Sequence, residues 1–280
     1  MAKSRVRDRN PLSGRMPLPF GDAPPSKPHN RGKDIPELLE RIISARPSFH
    51  ASETELQRGF EPSESLLPEA DARRLATSGL TCYGIEDDVL RFIADNVKMG
   101  DRTLETGAGC STLVFAIQNT THVTITPSEI EIRLIRDYAR DNQIRLTNIK
   151  FVHQSSEAYL PQCDDANLAM VLLDGKHAFP WPVVDWFFTA DRLKPGGLML
   201  LDDAQMRSVA IVAEFMAAEP GWQFVRSFSG KTLVFRKISE NVLNVAWHMQ
   251  PWTVSSYVNK PTSIIKKVRT RISRMLRDCF

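Results

Sequence analysis

Two apolar runs that end in acidic residues constrain the fold of this chain most. The run MVLL ends at Asp174, and the run LMLL ends at Asp202 and Asp203. Such runs are typical of buried parallel strands, and the helical pattern between them has the length of one right-handed crossover. If the two strands are neighbours, these carboxylates and His177 meet at the carboxyl edge of the sheet, where open α/β sheets bind ligands.

A regular alternation of strand and helix patterns surrounds these runs. The predicted parallel strands are 102–106, 122–126, 149–153, 168–173 and 198–201. The predicted helices are 34–45, 85–99, 111–118, 129–141 and 206–218. We expect a turn at 194–197 and a closing antiparallel hairpin around Gly230. The predicted fold class is therefore α/β, with a doubly wound, mostly parallel, Rossmann-like sheet of seven strands and helical extensions at both ends.

The chain divides into four predicted parts. Residues 1–33 are rich in Pro, Arg and Ser without periodicity, which is typical of a disordered basic segment. Residues 34–84 are predicted to form a helical extension or lid, and residues 85–237 form the α/β domain. Residues 238–280 are predicted to be an extension that ends in a basic amphipathic helix.

The charge of the chain is concentrated at its two ends. The net charge is +3, but residues 1–33 and residues 260–280 each carry +6, which leaves −9 for the middle. An acidic body without interleaved basic and aromatic residues argues against specific nucleic-acid binding. The tail at 260–280 suits an anionic membrane surface or a partner subunit, and packing on the body of the protein is the alternative.

The sequence favours a cytoplasmic protein, with membrane association through the basic C-terminal helix as an option. No apolar run approaches the roughly 18–20 residues of a membrane span. The basic start is not followed by an apolar core, so no secretory signal is expected. The four cysteines have no metal-binding spacing, which indicates reduced thiols.

A glycine turn in the segment TLETGAGCST (103–112) predicts a cofactor site. Gly107 and Gly109 allow a ligand to approach the backbone, and the next helix offers free N–H groups. Nicotinamide, flavin and S-adenosylmethionine sites all use such turns. Three details favour S-adenosylmethionine. Glu105 could meet the cationic amino-acid end of the ligand. Thr112 replaces the third glycine of the dinucleotide pattern, and the second strand ends in Thr126, not in an acid.

With ETGAGCST and the later LKPGG-LMLLDD, the chain resembles the class I S-adenosylmethionine-dependent methyltransferases over roughly residues 80–237. The resemblance places Ser155 and Ser156 near the adenine. Thr126 stands where the family usually has a ribose-binding acid, and Tyr83 stands where this fold closes over the cofactor. The cofactor-binding residues expected from this resemblance are Tyr83, Glu105, Gly107, Gly109, Ser111, Thr126, Ser155 and Ser156.

The three acids of the opening segment would repel one another unless a cation neutralised them. Hard oxygen ligands with room for water and substrate suit Mg²⁺ or another divalent cation. His177 follows Asp174 by three residues, and it could take a proton from an acceptor hydroxyl. The alternative is structural: the acids cap loops or helices and bind no ion.

This acidic pattern resembles the metal-dependent O-methyltransferases of the macrolide-sugar type. The plant caffeoyl-CoA type is similar, with a lysine in the place of His177. The resemblance implies that Asp174, Asp202 and Asp203 are metal ligands and that His177 is the base. The expected function is O-methylation of a small hydroxylated substrate, such as a sugar. The alternatives are a metal-independent methyltransferase of the same fold, acting for example on nitrogen, and a catalytically silent fold that binds a membrane or a partner.

Overall fold

The computed structural model describes residues 34–49 and 84–255, which contain a seven-stranded sheet in the order β3-β2-β1-β4-β5-β7-β6. The first five strands are parallel, and β7 is antiparallel to both of its neighbours. The strands are β1 (Arg102–Thr106), β2 (Thr121–Thr126), β3 (Ile149–His153), β4 (Leu168–Leu173), β5 (Leu193–Leu201), β6 (Trp222–Phe228) and β7 (Thr232–Lys237). The predicted fold class is confirmed.

Helices cover both faces of this sheet. The α-helices are α1 (Ile35–Ala45), α2 (Asp87–Asn96), α3 (Cys110–Ile117), α4 (Glu129–Asp141), α5 (Ser156–Tyr159), α6 (Trp181–Ala190), α7 (Arg207–Ala218) and α8 (Pro251–Val254). Helices α6 and α7 pack on one face, and α1 to α4 lie on the other. Two short 3-10 helices, Leu160–Gln162 and Trp247–Met249, complete the described elements.

Strand β4 shows why its sequence is a continuous apolar run. Val171 and Leu173 belong to the core that contains α6 and α7, whereas Met170 and Leu172 belong to the core that contains α2 and α3. All four side chains are buried, because a central parallel strand has no solvent-facing side. Helices therefore pack on both faces of β4, and this packing stabilises the sheet that carries the site.

One predicted turn is wrong. The segment 194–197 lies inside β5, since Leu193 already pairs with Leu168 of β4. The register then shifts between Leu168 and Met170, and Gly196 has a positive φ of 82°. This irregularity in the pairing accommodates the proline and the glycines of the segment 194–197, and the strand continues to Leu201.

Several expectations fall outside the described residues. These are the basic segment 1–33, Tyr83 with most of the predicted 34–84 extension, and the tail 260–280. In the part of the chain that is described, no helix has both the length and the apolar character needed to cross a membrane.

The topology brings the predicted site residues to one edge. Thr106 at the end of β1 pairs in register with Leu173 at the end of β4, and Leu173 pairs with Leu201 at the end of β5. The glycine turn follows β1, and the acidic residues follow β4 and β5. These groups are therefore neighbours at the carboxyl edge of the sheet, as expected for an open α/β fold.

Candidate active site

A cavity of about 1170 Å³ opens at this edge of the sheet. It exceeds the roughly 300–1,000 Å³ of most small-molecule sites, so it has room for two ligands side by side. Its walls come from α1 and the loop after it, the start of α2, the glycine turn, the end of β2 with the start of α4, Ser155–Glu157, Asp174–His177 and Ser229.

The two glycines of the turn have different functions. Gly107 has a φ of 90°, and a Cβ there would lie 2.2 Å from the backbone oxygen of Asp174. Its N–H donates to the Ile125 oxygen at 2.9 Å, so the turn is packed between the ends of β2 and β4. Gly109 is different, because an added Cβ would meet no described atom within 4 Å. Gly107 thus allows close packing, and Gly109 leaves open space for a ligand.

Glu105 lies beneath the turn, and it is not among the described residues that line the cavity. It is 1% exposed, and it accepts hydrogen bonds from the Ser111 hydroxyl at 2.6 Å and from the Thr112 hydroxyl. His122 Nε2 lies 3.2 Å from Glu105 Oε1. Both Glu105 carboxylate oxygens therefore have partners within the protein, and they fix the start of α3. The expected contact between Glu105 and the amino-acid end of a ligand stays a prediction.

An acid does stand beside the end of β2, although the strand itself ends in a threonine. The Thr126 hydroxyl donates to Glu131 Oε2 at 2.6 Å, and both residues line the cavity. The Ser128 side chain caps α4 by accepting from the Glu131 N–H at 3.2 Å, which confirms the predicted helix start. Glu131 is thus a candidate ribose-binding acid, one helical turn later than the usual position.

Three other predicted cofactor residues line the same cavity. Ser155 and Ser156 line it after β3, and Ser111 lines it at the start of α3. Their contacts with a cofactor stay a prediction. The sequence missed Glu131 because the expected acid belongs at a strand end and this one comes from the next helix. The available signal was that Glu131 follows Ser128 by three residues, which is the spacing of a helix capping box.

Three of the four predicted metal and base residues lie close together. Ligand atoms of Asp174, His177 and Asp203 all lie within 4.8 Å of one another. His177 Nε2 is 3.1 Å from Asp203 Oδ2 and 3.7 Å from Asp174 Oδ1. Asp203 is fully buried, and apart from this ion-pair contact with His177 its Oδ2 has no hydrogen-bond partner among the described residues. The Ser208 hydroxyl of α7 donates to the His177 backbone oxygen and holds this loop.

Asp202 is bound by two other residues. Lys231 Nζ lies 2.9 Å from Asp202 Oδ2, and the Thr232 hydroxyl donates to Asp202 Oδ1. The same ammonium lies 3.7 Å from Asp203 Oδ1 and donates to the Gly84 backbone oxygen at 2.6 Å. Burial alone would lower the pKa of Lys231, but the nearby carboxylates, led by Asp202, raise it and keep the ammonium charged.

The charge of this cluster suits a divalent cation. Asp174, Asp202 and Asp203 carry three negative charges when ionised, and Lys231 supplies one positive charge. Burial raises the pKa of Asp174 well above its usual range, and Asp202 raises it further, while Lys231 opposes both effects. With all three acids ionised the net charge is −2, which equals in magnitude the charge of one ion such as Mg²⁺, and a bound cation would favour the ionised form of Asp174. The carboxylate oxygens are the ligands that Mg²⁺ prefers, and the imidazole nitrogen suits transition-metal ions.

Asp185 gives the domain a pH-dependent stability. It is buried in α6 under Gly175, and burial raises the pKa of its carboxyl to about 6, against the opposing effect of the Ser156 and Thr106 hydroxyls. A carboxyl with a higher pKa in the folded state binds more protons there. The free energy of unfolding therefore falls as the pH rises from about 4 through 6.

We expect Asp185→Asn to remove this dependence. In urea titrations at a series of pH values, the stability of the variant relative to the wild type should increase by about 2–3 kcal/mol between pH 4 and pH 8. The wild type is the internal reference, because all other titrating groups are shared. A stability difference that is constant over this range would contradict the assignment.

Comparison with known proteins agrees with this geometry. Residues 104–204 match the family described as "Methyltransferase domain", and the match runs from β1 to just past the acids after β5. No curated protein matches the sequence. The matched segment therefore includes both the glycine turn and the acids that follow β4 and β5.

Two solved structures share the fold of this chain. A protein from Corynebacterium glutamicum has a TM-score of 0.50 at 15% sequence identity, and the match covers 68% of this chain and 100% of that protein. Cofactor-bound Rv0187 from MTB also has a TM-score of 0.50 at 15% identity, with 69% of this chain and 100% of that protein covered. At this identity the likeness shows the fold alone.

Proposed function

We propose that this chain transfers a methyl group from S-adenosylmethionine to a hydroxyl group of a small molecule, such as a sugar, with the help of a divalent cation. The observation that carries the proposal is the shared cavity, because the glycine turn lines the same space of about 1170 Å³ as Asp174 and His177, and Asp203 lies directly behind His177. The methyltransferase domain over residues 104–204 supports this assignment.

In the cofactor half, the chain binds and orients the methyl donor. S-adenosylmethionine supplies a methyl group that is activated by its sulfonium charge. The open space at Gly109 and the N–H groups at the start of α3 suit the methionine part. Glu131, held by Thr126, is placed to accept hydrogen bonds from the ribose hydroxyls. Ser155 and Ser156 line the cavity, and they would contact the adenine as the resemblance implies.

In the acceptor half, Asp174 and Asp203 would hold the cation. A bound divalent ion would lower the pKa of an acceptor hydroxyl. His177 would receive the hydroxyl proton at a ring nitrogen, and the buried carboxylate of Asp203, 3.1 Å from Nε2, orients the imidazole. The cavity walls hold the acceptor oxygen in line with the methyl group and its sulfur.

Two observations favour alternatives. The ligand atoms of His177, Asp174 and Asp203 are close enough for His177 to be a third metal ligand and not a base. The Lys231 ammonium already sits beside Asp202 and Asp203, which favours a metal-independent methyltransferase of the same fold.

Calorimetric titrations of the full chain separate these possibilities. We expect the wild type to bind one S-adenosylhomocysteine and then one Mn²⁺. His177→Gln should keep its Mn²⁺ affinity within about tenfold and lose methyl transfer if the residue is a base. A larger loss of Mn²⁺ affinity would make His177 a ligand. Turnover that persists in EDTA would reject the metal, and no binding of S-adenosylhomocysteine at millimolar concentration would reject the proposed function.

A further inference from the structure

The amino-acid end of the methyl donor carries a carboxylate and an ammonium, so it needs two counter-charges. Glu105, the acid that the sequence indicates for this role, is buried under the turn and occupied by hydroxyl donors. The pair that the structure offers instead comes from the residue that follows α1 and from the first residue of α2, both outside the glycine motif.

We propose that Arg46 and Asp87 bind this zwitterionic end, with the Arg46 guanidinium on the α-carboxylate and the Asp87 carboxylate on the α-ammonium. The inference rests on the proposed function, since it specifies how the same cavity holds its cofactor. Neither residue belongs to the segment 104–204 that matches the methyltransferase domain.

The two side chains are already paired on the cavity wall. Arg46 Nη2 lies 2.7 Å from Asp87 Oδ2, and both residues line the cavity. The Arg46 side chain is 74% exposed and that of Asp87 is 34% exposed, so a ligand can reach both. An opposite-charge pair of this kind suits a zwitterion. The guanidinium can bind the ligand carboxylate while the Asp87 carboxylate binds the ligand ammonium, so all four charges are paired.

The fold fixes this pair against the glycine turn. Arg46 directly follows α1, whose buried Ile42 packs in the same core as Leu113 of α3. The Cys110 thiol donates to the Pro47 backbone oxygen at 3.6 Å, which joins the loop to the first residue of α3. Burial raises the pKa of Cys110 to about 12, and Asp87 is close enough to raise it as well.

The distribution of positive charge makes Arg46 the cation on the cofactor side. Among the described residues that line the cavity, the lysines and arginines are Arg46 and Lys176. Lys176 precedes His177 in the acidic cluster, and its ammonium stacks on the Trp181 ring at 4.6 Å. Arg46 instead precedes Pro47, whose backbone oxygen contacts Cys110 at the start of α3, where the N–H groups of the helix also favour an anion.

The test compares two ligands that differ only in the amino-acid end. S-adenosylhomocysteine carries this end, and 5′-methylthioadenosine lacks it. We expect Arg46→Met and Asp87→Asn each to weaken S-adenosylhomocysteine binding about 10- to 100-fold. Binding of 5′-methylthioadenosine should stay within about twofold, which also shows that the variants fold. Met is unbranched like Arg, so the left-handed backbone at this position (φ 41°) carries the same strain.

Lys176→Met is the matched control, and it should change neither affinity. Equal losses for both ligands, or no loss for S-adenosylhomocysteine, would overturn the Arg46–Asp87 assignment. A wild type that binds both ligands equally would also overturn it, since no amino-acid subsite would then exist. A wild type that binds neither ligand would instead reject the proposed function, so the two failures are distinguishable.

Discussion

Replacing Asp203 with asparagine should abolish the proposed metal-dependent methyl transfer and leave S-adenosylhomocysteine affinity almost unchanged. The Asp203 side chain is fully buried in the acidic cluster, and its Oδ2 has no hydrogen-bond partner in the described part of the chain. We expect the Mn²⁺ affinity to fall by at least about 100-fold, more than the roughly 10- to 100-fold typical of residues that only support a ligand. Asparagine tolerates the left-handed backbone at this position (φ 53°), so the fold should persist.

Asp202→Asn is the matched control, because it removes one charge from the neighbouring residue. Asp202 is paired with Lys231 and Thr232, so its loss should change Mn²⁺ affinity by less than about tenfold. It should instead lower the thermal stability, since the partly buried Lys231 ammonium loses the nearer of its two carboxylates. Calorimetry and thermal unfolding of both variants give the comparison. Equal losses of Mn²⁺ affinity would contradict the division of roles between the two acids.

Replacing Glu105 with alanine should have the largest effect on stability. The substitution leaves two buried hydroxyls, on Ser111 and Thr112, without their acceptor, and it removes the carboxylate beside His122. Each unsatisfied buried group costs about 1–3 kcal/mol. We therefore expect the free energy of unfolding in urea to fall by about 3–5 kcal/mol.

Ser111→Ala provides the smaller reference change, because it removes one donor and leaves Glu105 with the others. It should cost about 1 kcal/mol. If Glu105→Ala kept its stability but lost affinity for S-adenosylhomocysteine, the carboxylate would contact the ligand directly. That outcome would contradict the structural role of Glu105.

The fold was predictable because its signals are local. The apolar runs that end at Leu173 and Leu201 are strands, as their composition indicates. Ser128 caps α4 as its sequence pattern predicts. The turn predicted at 194–197 failed because pairing with β4 outweighs the local preference of proline and glycine.

The site was only partly predictable, because its side chains depend on contacts that are distant in sequence. Nothing near Asp202 indicates that Lys231, from the hairpin turn, takes it as a partner. Arg46 comes from a loop with no motif, and only the packing of α1 on α3 brings it to the glycine turn. The burial of Glu105 likewise follows from its hydroxyl partners on α3, not from its place in the turn.

A crystal structure of the full chain with S-adenosylhomocysteine and Mn²⁺ tests the central claim most directly. The claim is that cofactor and cation occupy two halves of one cavity. We predict an anomalous peak within about 2.5 Å of carboxylate oxygens of Asp174 and Asp203. The thioether sulfur should lie in the same cavity, between that peak and Gly109. Nucleoside bound elsewhere, or an acidic cluster neutralised by Lys231 alone with no anomalous peak, would contradict it.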